Sequence, residues 1–74
     1  MGSRFTMAEH PSRAGWFRIK DSLWGIHCDF EGHRFNDTQE FPNADKLPKD
    51  ALVVARIMRE IGEWVLLNHP DKAF

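Results

Sequence analysis

A chain of 74 residues holds one domain at most. Apolar residues make up 42% and charged residues 28%, a globular balance, and no run approaches the ~18 apolar residues of a spanning helix. Multidomain enzymes, repeat arrays and membrane spans are thereby excluded, and the formal net charge of −1 argues against a non-specific nucleic-acid binder, a class that is usually basic.

Residues 1–14 show no periodicity and are expected as a flexible tail. Within it, Met1–Thr6 reads as a cloning remnant ahead of a natural start at Met7-Ala8-Glu9. Order is expected over residues 15–69, as a single β-β-β-α domain, with residues 70–74 as a C-terminal tail.

From Trp16 the hydrophobic period is two, which predicts strands. Phe17 and Ile19 alternate with Arg18 and Lys20; Asp21-Ser22 has turn chemistry. Trp24, Ile26, Cys28 and Phe30 then alternate with Gly25, His27 and Asp29. Glu31-Gly32 suits a tight hairpin turn, and His33-Arg34-Phe35-Asn36 begins a third strand. With tight turns at both ends, Ile19 falls opposite Trp24, Phe17 opposite Ile26, and Asp29 opposite Arg34. One face then carries Phe17, Ile19, Trp24, Ile26, Cys28, Phe30 and Phe35 as a core; the other carries Trp16, Arg18, Lys20, His27, Asp29 and Arg34.

Asp37–Lys46 reads as a polar connection, with Phe41 anchoring it to the core. A helix is predicted over Ala51–Leu67, opened by Pro48 and Asp50 and stopped before Pro70. Its buried stripe is Val54, Ile57, Met58, Ile61 and Val65; Arg56–Glu60 and Arg59–Glu63 are spaced to pair on the solvent side. Gly62 interrupts good helix formers at a cost of about 1 kcal/mol and marks a kink or a close approach. The expected fold is α+β: a three-stranded antiparallel meander packed against one long C-terminal helix.

Chemistry-bearing residues are sparse. His27, Cys28 and His33 lie close in sequence, but two faces separate them and zinc needs three or four convergent ligands. No metal site and no cofactor are expected. Cys28 as a nucleophile would need an exposed, electropositive setting, and its place between Ile26 and Phe30 is the reverse of that. No catalytic residue and no small-molecule substrate are assigned, so the expected function is non-catalytic.

Two surfaces remain. The first is the helix end at Trp64, Val65, Leu66 and Leu67, apolar on all sides, which suits a protein partner or a homodimer. A small domain with no disulfide, its one cysteine being Cys28, is a natural candidate for such support. The second is the open sheet face, where Trp16, Arg18, Lys20, His27 and Arg34 set an aromatic among cations and would suit DNA.

The run from Trp24 through Phe30-Glu31-Gly32-His33-Arg34-Phe35, then Phe41-Pro42 and the helix near Asp50-Ala51, resembles the arm-type DNA-binding domain of phage tyrosine recombinases. That resemblance implies a three-stranded sheet followed by one helix, with DNA contacts carried by Arg18, Lys20 and Arg34. The leading expectation is a binding module acting through protein–protein contact, of the type of an accessory or inhibitor protein of a phage or mobile element. DNA binding through the open sheet face is the alternative. The lone thiol and the lack of an apolar leader suit the cytoplasm.

Overall fold

A computed structural model of the chain describes residues 3–32, 34–35 and 38–73. In chain order it forms β1 (Phe5–Glu9), β2 (Trp16–Asp21), β3 (Ile26–Glu31), β4 (Gln39–Glu40), a 3-10 turn (Ala44–Lys46) and α1 (Ala51–Asn68). The strands make one antiparallel sheet in the order β1-β2-β3-β4. The α+β class holds, with an antiparallel sheet against one C-terminal helix, but the sheet has four strands and not three.

The extra strand comes from the segment expected as a tail. In β1, Phe5 and Met7 turn towards the core while Thr6 and Ala8 stay exposed or on the sheet's other face, a period-two signal only two apolar residues long. Phe5 is buried and meets the Trp64 ring of α1 at 5.7 Å between centroids. Just before it, Arg4 donates from Nε and Nη2 to the Asp21 carboxylate at 2.9 and 2.7 Å, and its Nη1 lies 3.2 Å from Glu60 of α1. The residues read as a remnant thus tie the sheet edge to the helix. At the other end, Lys72 accepts the Phe35 N–H at 2.6 Å and Ala73 packs on the core, so the segment after α1 also folds back.

The β2–β3 register differs from the expected one. The turn spans Ser22–Gly25, closed by the Gly25 N–H on the Asp21 carbonyl at 2.9 Å, with Gly25 at φ +67° where side chains are strained. Ile19 therefore faces Cys28, Phe17 faces Phe30, and Arg18 faces Asp29. Phe17 meets Phe30 in place of Ile26, a slip of four positions (30 − 26), and an even slip leaves every strand residue on its expected face. Two residues change place: Trp24 leaves the core face for the turn and is exposed, and Asp21, read as a turn residue, becomes the buried last residue of β2.

Past β3 the expected third strand at 33–36 does not form at Arg34 or Phe35; His33 and Asn36 lie outside the described residues. The chain loops out and returns as the two-residue β4, with Gln39 opposite Phe30 and Glu40 opposite Asp29. Phe35 still reaches the core, edge-on to Phe30 at 5.5 Å, but from a loop. Arg34 is exposed and does not pair with Asp29.

The helix follows its sequence signals closely. Asp50 caps it by accepting the Leu52 N–H at 2.9 Å, and the His69 N–H closes the other end on the Val65 carbonyl, just ahead of Pro70. Ile57, Ile61 and Val65 are buried, flanked by Val53 and Trp64; of the other residues expected in the stripe, Met58 is exposed and Val54 only half-buried. α1 runs unbroken through Gly62. Arg59 and Glu63 pair weakly at 3.9 Å, whereas Glu60 turns to Arg4 and not to Arg56. Phe41 packs against the core as expected. No helix among the described residues is long and apolar enough to cross a membrane.

If β1 is integral, Phe5→Ala should lower stability by about 3 kcal/mol in urea titration, as large-to-small core changes do, while Thr6→Ala stays within about 0.5 kcal/mol. Equal midpoints for the two variants would show that the strand is not part of the cooperative fold.

Candidate functional site

The sheet face turned away from α1 is built around one carboxylate. Asp29 of β3 projects on that face with Arg18 and Lys20 of β2 and His27 of β3, yet it is 1% exposed. Arg18 grips it in bidentate fashion, Nε and Nη2 donating at 2.8 and 3.0 Å. The β1–β2 loop closes the rest. His10 sets its Nε2 3.0 Å from Asp29, while its Nδ1 accepts the backbone N–H groups of Ser12 and Arg13 at 3.1 and 3.0 Å. An acceptor Nδ1 places the neutral ring's proton on Nε2, which then donates to Asp29.

Asp29, His10 and Ser12 line up in the order of a hydrolytic triad, with Ser12 Oγ 3.5 Å from Nδ1. The chemistry does not follow. A general base needs a free lone pair, and that of Nδ1 is already shared by two amides. The ring braces the loop.

The cations expected to read DNA are differently placed. Arg18 is neutralised by Asp29. Trp16 is covered by the Arg13 guanidinium, 3.5 Å above its ring, and Arg13 in turn meets Glu40 at 2.8 Å. Lys20 is exposed on the face, His27 is half-buried, and Arg34 sits in the loop after β3. Burial, reinforced by the Arg18 charge, lowers the His27 pKa below its ordinary value and favours the neutral ring.

Burial alone would raise the Asp29 pKa; the Arg18 hydrogen bonds and charge, with the hydrogen bond from His10, outweigh it and hold the carboxyl below its usual range. Cys28, on the core side, has its thiol pushed up to about 12 by burial and then by the Asp29 charge, so it stays protonated and unreactive. Among the described residues no three or more His, Cys, Asp or Glu converge as metal ligands, and His33 lies outside them.

The four apolar residues at the helix end divide. Val65 is fully buried, and Trp64 is held between Phe5 and His69. Only Leu66 and Leu67 are open, at 58% and 82% exposure. Leu66 also lines a groove of about 470 Å³ that periodicity did not reveal. Met58 and Gly62 line it with Leu66 from one face of α1, Arg59 and Glu63 stand beside them, and Phe35, Gln39 and Ala73 complete the lining. The loop after β3 supplies Phe35, which is why strand logic missed it. Gly62 was the one local signal.

No protein-family model, curated protein or solved structure matches the chain.

A depressed carboxyl pKa adds stability above its unfolded value, near pH 4, and loses it as pH falls through the folded value; the lowered His27 value acts in the same direction below about pH 6.5. The melting temperature should thus fall from pH 7 to pH 3, and Asp29→Asn should lower it at pH 7 and flatten the acid limb. An acid limb of unchanged steepness in Asp29→Asn would remove Asp29 from that role. Cys28 should resist a thiol-alkylating reagent in the folded chain and react within minutes in denaturant; rapid labelling of the native protein would contradict its buried, protonated state.

Proposed function

We propose that this chain is a small non-catalytic binding module that engages a protein through the exposed side of α1. The observation that carries the reading is the groove of about 470 Å³ between α1 and the Phe35 loop, lined from the helix by Met58, Gly62 and Leu66. A groove of this shape suits the apolar side of a helix with one or two large side chains, an established mode of protein recognition.

Gly62 supports it. A glycine inside a helix costs about 1 kcal/mol relative to alanine. Packing within the chain does not require it, because a Cβ there would meet only Phe35 Cε1, at an ordinary 3.8 Å. The missing side chain keeps the groove floor low. Ala51, Ala55, Met58, Gly62 and Leu66 recur at helical spacing, giving α1 a second apolar stripe beside its buried one. The sheet face offers less for DNA, since Arg18 and Arg13 already face carboxylates.

Incorporating a photo-crosslinking amino acid at Leu66, with Lys20 on the sheet face as control, tests this. Covalent capture of a protein from position 66 and not from position 20 is expected, followed by binding of the purified protein that Leu66→Glu weakens at least about tenfold at unchanged melting temperature. No protein captured from position 66, or equal capture from both positions, would overturn the reading.

A further inference from the structure

We infer that the occupant of the groove is a second copy of this chain, bound through an antiparallel pairing of the two α1 helices; this rests on the protein-binding reading above. The inference comes from the order of the residues along the groove. Met58 and Leu66 stand one helical turn before and after Gly62, and Arg59 and Glu63 share one rim.

A two-fold axis at the level of Gly62 makes that arrangement self-complementary. Met58 of each copy meets Leu66 of the other, and the large side chains enter the space left above the glycines. In an antiparallel helix pair the same flank of each helix lies against its counterpart. Arg59 of each copy is therefore brought alongside Glu63 of the other, which gives two opposite-charge pairs related by the axis. A parallel pairing would not cross those charges. Within one chain the two residues are 71% and 65% exposed and only 3.9 Å apart, so both are free to turn towards a partner at little loss.

An isologous contact needs one patch that is its own complement, and this rim meets that requirement with one cation and one anion. Size favours the same answer. A domain of 74 residues with a single free cysteine is in the range where association commonly adds the stability that a small core lacks. Small residues along the stripe, Ala55 and Gly62, let two helix backbones approach closely.

Sedimentation equilibrium on the full chain, from about 1 µM to about 500 µM, reads the association directly. A monomer–dimer equilibrium is expected. Arg59→Glu should weaken it at least about tenfold, because each copy then sets like charges across the axis, and Glu63→Arg should do the same. The double variant carrying Arg59→Glu and Glu63→Arg should recover the wild-type constant to within about threefold. Circular dichroism of each variant at low concentration separates loss of pairing from loss of fold. A monomer throughout the range would overturn the inference while leaving protein binding standing wherever position 66 still captures another protein. A dimer indifferent to both single changes, or not restored by the double change, would overturn it too.

Discussion

A carboxylate taken out of water is unfavourable by several kcal/mol unless a cation and further donors meet it, and this small sheet buries two. Asp21 and Asp29 are both almost inaccessible, and each is held by an arginine in a two-pronged grip. Much of the architecture outside the helix follows. Asp21 faces the core side at the end of β2, where the Leu23 N–H of the turn donates to it and Arg4 supplies the cation, so the chain before β2 is drawn up as an edge strand. Asp29 faces the other side, where Arg18 alone leaves part of the carboxylate open. The β1–β2 loop bends over to supply His10 and excludes water from the pair.

These two grips also divide the surface into unlike halves. On the face away from α1, charges answer one another: Arg18 with Asp29, Arg13 with Glu40 and stacked on Trp16. A face so compensated presents a weak field to a polyanion. On the helix side, Arg4 reaches across to Glu60 and fixes one flank of α1 to β1. The helix cannot roll to hide its second apolar stripe without breaking that contact and withdrawing Ile57, Ile61 and Val65 from the core. The groove is thus a consequence of how the helix is anchored.

What the sequence revealed and what it hid have separate physical causes. Helix limits are local: Asp50, Pro70 and a 3.6-residue period define α1 to within one residue of its observed end. Strand faces are nearly local, since a slip of even length preserves them, and Phe17, Ile19, Ile26, Cys28 and Phe30 all took their expected side. Strand partners are not local. The β2–β3 turn closes at Gly25 in place of Ser22, and Arg18 rather than Arg34 answers Asp29. β1 turns only Phe5 and Met7 to the core, the first in a segment read as a remnant and both in an expected tail, and its stability comes from Asp21 and Trp64, both distant in sequence. Of the four apolar residues at the helix end, Leu66 and Leu67 proved open and Val65 did not, because exposure depends on which way the helix is turned.

The groove joins these threads. Phe35 arrives from a loop of no regular period and is fixed by a hydrogen bond to Lys72, beyond the helix, so the Phe35 side of the groove depends on the chain folding back after α1. Gly62 then sits beneath an opening that intrachain packing leaves unfilled. An alanine there would be accommodated and would favour the helix by about 1 kcal/mol. A domain this small has little stability in reserve, on the order of a few kcal/mol. A helix-weakening residue inside α1 therefore costs a sizeable fraction of that reserve. The balance is restored if contact made across the groove is stronger for the absence of a side chain, and Met58 and Leu66, placed a turn to either side, are the groups that would make it.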